Sequence, residues 1–130
     1  ADGGLDLKGG GRLIDATGYE DMADLLLVSD ALITDYSSAA MDFVLLDRPV
    51  FLYQDDIAEY TARDRRLYFD VADSPFLVAR DMAGLVALIE ETDAAAAQKN
   101  CAAVRDYFGF IETGCATRRV CERIVQWMEK

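Results

Sequence analysis

Four short apolar runs constrain this chain more than any other feature, because each is followed by a segment with helical spacing or composition. They are Arg12-Leu13-Ile14-Asp15, Ala31-Leu32-Ile33-Thr34, Val50-Phe51-Leu52-Tyr53 and Phe76-Leu77-Val78-Ala79. The third is near-continuously apolar, as a strand must be when both faces of a parallel sheet are covered. Between the runs, Met22, Leu25, Leu26 and Val28 mark one face of a helix over residues 20–29, with Glu20 and Asp21 in its first turn, where negative charge suits the dipole. Residues 39–46 are apolar all round, so this helix is expected to be largely buried until Asp47-Arg48-Pro49 ends it. A short helix is expected over 57–62, and Asp81 and Asp93 are placed to cap helices over 82–91 and 94–108, the second stopped by Gly109. A last amphipathic helix over 115–129 sets Val120, Ile124, Val125 and Met128 on its apolar side.

Strands alternating with helices in this way predict a doubly wound α/β domain: a Rossmann-like parallel sheet of about four strands, with right-handed crossovers and helices on both faces. A chain of 130 residues suits one such domain. The expected division is a flexible, glycine-rich N-terminal segment over 1–11 and the domain itself over 12–130. Segment 54–74, polar and charge-rich with a strand-like Leu67-Tyr68-Phe69, is a long connection of the kind that often carries function.

Composition excludes several classes of function. A net charge of −11 argues against general nucleic-acid binding, which needs a positive surface to replace phosphate counterions, yet leaves room for one phosphorylated ligand. With no histidine, the commonest general base near neutral pH is missing. Cys101, Cys115 and Cys121 are odd in number and have no zinc-site spacing, so they read as reduced, small core residues in a cytoplasmic setting. No apolar run approaches the roughly 20 residues of a membrane-spanning helix. Asp6, Asp15, Asp21 and Asp24 lack the spacing of a calcium loop and read as surface and cap residues, so neither metal nor cofactor is expected.

Ligands of open parallel sheets bind outside the carboxyl ends of the strands. Thr34-Asp35-Tyr36-Ser37-Ser38 lies at such an end, where a strand gives way to a helix. Backbone N–H groups and serine hydroxyls at a helix start offer donors to phosphate oxygens. Asp42, four residues after Ser38, falls on the same helix edge and is suited to accept hydrogen bonds from ribose or glycerol hydroxyls. A serine is also a good N-cap, worth about 1 kcal/mol, and Asp42 then simply faces solvent. Tandem serines exceed what a cap needs, and a charge within an apolar helix is costly unless paired. Arg63, Arg65 and Arg66 form the only basic cluster, suited either to a departing pyrophosphate or to a solvated loop balanced by Asp55, Asp56, Glu59 and Asp64. Tyr53, Tyr60, Tyr68 and Phe69 are able to stack on a cytosine, although core packing is the commoner use of such residues, and of Trp127.

The run Val28-Ser29-Asp30-Ala31-Leu32-Ile33-Thr34-Asp35-Tyr36-Ser37-Ser38, followed by Asp42-Phe43 and Arg48-Pro49, resembles the C-terminal domain of the CDP-glycerol glycerophosphotransferases, the teichoic acid primases and polymerases. The likeness extends upstream through Tyr19-Glu20-Asp21-Met22 and downstream through Tyr60 and Tyr68-Phe69-Asp70. It implies the GT-B architecture of two Rossmann-like domains, with CDP-glycerol held mainly by the C-terminal one. By position it implies that Ser37 and Ser38 contact the donor phosphates, that Asp42 is the binding aspartate and that Arg65 matches a family arginine, with Arg66 standing where the family has glycine. Family members carry essential histidines outside the stretch matched here. The expectation is therefore an incomplete donor domain, inactive alone, of an enzyme peripheral to the cytoplasmic face of the membrane. Its polymer acceptor would be held by the missing N-terminal domain.

Two other readings stay open. One is a GT-B transferase domain using another nucleotide donor. The other is a non-catalytic interaction or structural module that self-associates through exposed sheet edges.

Overall fold

The computed structural model of the chain describes residues 13–63 and 71–129. In chain order the elements are α1 (Met22–Val28), β1 (Leu32–Thr34), α2 (Ala39–Phe43), β2 (Val50–Tyr53), α3 (Ile57–Arg63), β3 (Leu77–Ala79), α4 (Met82–Glu91), α5 (Ala94–Phe108) and α6 (Ala116–Met128). Tight 3-10 turns over Val44–Leu46 and Val71–Asp73 complete them. The strands form one parallel sheet in the order β1-β2-β3, with Leu32 opposite Val50 and Leu52 opposite Val78.

Strand alternation sorts the side chains onto two faces. Val50 and Leu52, with Leu32 and Val78, meet Leu26 of α1, Ala40 and Phe43 of α2, and Cys101 and Val104 of α5. Phe51 and Ala79, with Tyr53 and Leu77, meet Leu85 and Leu88 of α4. Helices therefore cover both faces, as the alternation of strands and helices predicts. The cover is incomplete over β1, where Ile33, opposite Phe51, is 52% exposed.

The expected caps are present. Asp21 accepts from the Ala23 N–H at 2.8 Å, Asp81 from Gly84 at 2.7 Å and Asp93 from Ala96 at 2.8 Å. Gly109 closes α5 in the left-handed region at φ 67°, which glycine adopts without steric cost. Arg48 has a larger part than ending a helix. Its guanidinium donates to the carbonyls of Leu27 at 2.8 Å and Ser29 at 2.6 Å, so a cation closes the C-terminus of α1. The neighbouring Pro49 carbonyl accepts from Leu32 N–H at 2.9 Å, and the Arg48 carbonyl accepts from the Cys101 thiol. One short segment thus joins α1, β1, β2 and α5.

Three expectations change. Residues 13–16 form no strand, and Leu13 and Ile14 are exposed. Asp15 instead accepts from the Thr17 N–H at 2.9 Å and hydroxyl at 2.6 Å, a local turn that competes with sheet pairing and holds the Asp15 carboxyl below its usual pKa. The described sheet therefore has three strands rather than about four. Helix α6 forms where expected but buries no residue, so Val120, Ile124, Val125, Met128 and Trp127 are all exposed. Cys121 is exposed for the same reason and Cys115 is half-buried, so only Cys101 is a core residue. The segment over 1–11, Leu67-Tyr68-Phe69, Arg65 and Arg66 lie outside the described residues.

Arg48→Met keeps the aliphatic stem and removes both bonds to the end of α1. Hydrogen bonds to a charged group are worth about 1.5–3 kcal/mol, so urea unfolding should show a loss of about 2 kcal/mol. A loss below about 0.5 kcal/mol, the range of ordinary surface substitutions, would contradict this role.

Candidate functional site

Because the three strands are parallel, Thr34, Tyr53 and Ala79 end on the same edge of the sheet. The residue after each joins one network. Gln54, only 1% exposed, donates its backbone N–H to the Ala79 carbonyl at 2.9 Å and its Nε2 to the Asp35 carbonyl at 3.4 Å. Arg80 donates to Gln54 Oε1 at 3.2 Å and to the Gln54 carbonyl at 3.4 Å. A buried amide needs its partners, and here they come from the ends of the two flanking strands.

From Asp35 the turn that follows β1 runs on beyond this network. The Tyr36 hydroxyl donates to Asp56 Oδ1 at 2.8 Å, and its ring stacks on Tyr60 of α3 with centroids 3.7 Å apart and planes 9° from parallel. Burial, followed by the bond to Asp56 and that carboxylate's charge, pushes the Tyr36 phenol well above its ordinary pKa, against a smaller opposing effect of Arg80.

Ser37 and Ser38 are exposed on this turn. Ser37 Oγ accepts from the Ala39 N–H at 3.2 Å, while Ser38 occupies the N-cap position without a side-chain cap bond. Local capping thus accounts for one hydroxyl of the pair. The helix that follows is five residues long before it tightens into the 3-10 turn, so the dipole contribution expected from it is small. The N–H groups of Ala39, Ala40 and Met41 are bonded within the segment, so its donors are chiefly hydroxyls. Asp42 is on the first turn of α2 and exposed, so it bears none of the burial cost argued from its apolar neighbours. Ser37, Ser38 and Asp42 therefore share one short, solvent-facing segment, and Arg65 lies outside the described residues.

Of the aromatic candidates, Tyr60 already has one ring face occupied by Tyr36, and Tyr53 is half-buried with its hydroxyl on Asp55 at 3.1 Å. Tyr68 and Phe69 lie outside the described residues. Gln54 and Arg80 were not singled out from the sequence, Tyr36 was read only as part of the stretch over 34–38 and Asp56 only as a counter-charge to the arginine cluster. A polar residue directly after a buried apolar run was the available signal for Gln54; nothing local marks the partner of Tyr36, which is 20 residues away.

A family model for CDP-glycerol:poly(glycerophosphate) glycerophosphotransferases matches residues 4–126. The chain belongs to this family. It is 35% identical over 113 residues to a teichoic acid glycerol-phosphate transferase of Staphylococcus aureus (strain NCTC 8325 / PS 47), covering 85% of this chain and 29% of that protein. It is 31% identical over 117 residues to a teichoic acid ribitol-phosphate primase of Bacillus spizizenii (strain ATCC 23059 / NRRL B-14472 / W23), covering 89% of this chain and 30% of that one. A solved structure of the wall teichoic acid polymerase TagF superposes with a TM-score of 0.74 at 31% identity, covering 96% of this chain and 32% of that chain. Another, from TagF given a CDPG soak, superposes at 0.73. The chain thus spans under a third of the length of these relatives. The Ser37-Ser38 turn and Asp42 fall inside the matched region.

The Tyr36 shift carries a sign. A phenol whose folded pKa is raised stabilises the fold fully below its unfolded value of about 10, and that contribution is lost as pH rises above it. Stability should therefore fall more steeply above about pH 10 in the unaltered chain than in Tyr36→Phe. Parallel slopes in urea unfolding from pH 8 to 11 would contradict the arrangement.

Proposed function

We propose that this chain is the donor-binding part of a glycerophosphotransferase that moves glycerol phosphate from CDP-glycerol to a hydroxyl of a teichoic-acid-like or capsular polymer. The observation that carries the proposal is the exposed Ser37-Ser38-Asp42 segment at the carboxyl edge of a parallel sheet, inside the region that matches the family. In this reading the serine hydroxyls and turn N–H groups donate to the donor phosphates, and Asp42 accepts from hydroxyls of the alcohol or ribose. Arg65 adds a cation to the pyrophosphate. The acceptor oxygen attacks the phosphorus that bears glycerol, the bond to the bridging oxygen breaks, and CMP leaves with that electron pair. The acceptor proton needs a base, and a chain with no histidine takes it from elsewhere in the parent enzyme. The parent holds its polymer acceptor in another domain and works at the cytoplasmic face of the membrane. Among the described residues no helix is long and apolar enough to cross one.

Calorimetry with CDP-glycerol, CDP-ribitol and UDP tests this. CDP-glycerol should bind, UDP should bind more weakly, and Ser37→Ala with Ser38→Ala should weaken binding roughly tenfold, about what two lost hydrogen bonds cost. Asp42→Asn should reduce the preference for CDP-glycerol over CDP. No heat at millimolar CDP-glycerol from the folded chain would contradict a self-sufficient donor site.

A second reading has its own observation. Ile33, Leu27, Val28 and the apolar side of α6 are exposed, and among the described residues β1 is paired on one edge only. Exposed apolar side chains and open strand edges drive association. Light scattering should then show a dimer or larger species that Ile33→Lys dissociates, whereas a monomer at high micromolar concentration would count against it.

A further inference from the structure

We infer that Tyr36, Asp56 and Tyr60 are positioning residues that latch the Ser37-Ser38 turn to α3, and that donor affinity depends on this latch. The dependence on donor rests on the function proposed above; the latch itself does not. The bonds within the turn are few and local. Ala39 N–H reaches Ser37 Oγ at 3.2 Å, Ala40 N–H the Ser37 carbonyl at 3.3 Å and Met41 N–H the Ser38 carbonyl at 2.9 Å; a helix as short as α2 does not hold itself in water and is seated in the core by Ala40 and Phe43. The residues before Ser37 are held from outside the segment. Gln54 holds the Asp35 carbonyl on one side, and Tyr36, directly before Ser37, is fixed twice, by its hydroxyl on Asp56 and its ring on Tyr60.

Both partners belong to one unit. Asp56 immediately precedes α3, and its carbonyl accepts from the Tyr60 N–H at 2.9 Å. A stacked pair adds to area burial and leaves the phenol one orientation, which a hydroxyl bond alone would not ensure. The turn and α3 are therefore expected to move together. The sheet, tied through Gln54 and the strand ladders, does not depend on the stack.

Amide hydrogen exchange of the 130-residue chain tests the latch without ligand. Tyr60→Leu, which removes the stack, should speed exchange at Ala39, Ala40 and Met41 by about tenfold while Phe51 and Leu52 keep their protection. Tyr60→Phe should restore it, and Tyr36→Phe, a smaller change that keeps the ring, should give an intermediate effect. Unchanged exchange at those three amides, or equal acceleration in β2, would overturn the latch. In parallel, Tyr60→Leu should weaken CDP-glycerol about tenfold in calorimetry, with Tyr60→Phe recovering most of the loss. A loosened turn with unaltered affinity would overturn the dependence. If the unaltered chain binds no CDP-glycerol while exchange responds as expected, the donor reading fails and the latch stands. Should Tyr60→Leu not fold, Tyr36→Phe decides both points.

Discussion

Strand β2 is paired on both edges and buried on both faces, and the rest of the structure is arranged around it. Val50, Phe51 and Leu52 are each at most 4% exposed, alternating between the cluster built on α1, α2 and α5 and the one built on α4. Because β1 and β3 both pair with it in parallel, three carboxyl ends open on one edge. The residues flanking this strand then do the joining. Arg48 and Pro49 connect its start to α1, β1 and α5, and Gln54 connects its end to Asp35 and Arg80. A four-residue apolar run thus sets both where the core lies and where the three strand ends open.

The two ends of the strand differ in what they are built for. At the amino end the partners are backbone carbonyls and a thiol, a wholly structural set. The carboxyl end instead mixes a satisfied buried amide with exposed hydroxyls and carboxylates on a turn held by a neighbouring helix. Rigid support beneath a polar, solvent-facing segment is the arrangement from which α/β domains bind ligands. That segment lies inside the region matched by the glycerophosphotransferase family, and the sequence contains no histidine.

The six α-helices and the three strands of the described sheet were legible because their signals are local. Asp81, Asp93 and Gly109 mark helix ends through bonds to residues a few positions away, and Val50 to Tyr53 could not be anything but a covered strand. The run at Leu13-Ile14 misled because strand character depends on a partner, which is a tertiary matter, and Asp15 with Thr17 offered a local alternative. The amphipathic pattern of α6 was real, yet periodicity shows which side is apolar without showing that anything covers it. Ser37, Ser38 and Asp42 were singled out as candidates from their place after a strand. Gln54 and Arg80 were not, and the pairing of Tyr36 with Asp56 was not, since the contacts that give them meaning join segments distant in the chain.

The central claim is that the turn after β1 binds the donor. Titrating the isotopically labelled chain with CDP-glycerol and following backbone amide shifts tests it most directly. Binding at this turn predicts saturable changes concentrated at residues 36–42, with smaller ones at Gln54 and Arg80. Changes centred on α6 or α4, with residues 36–42 unmoved, would contradict it.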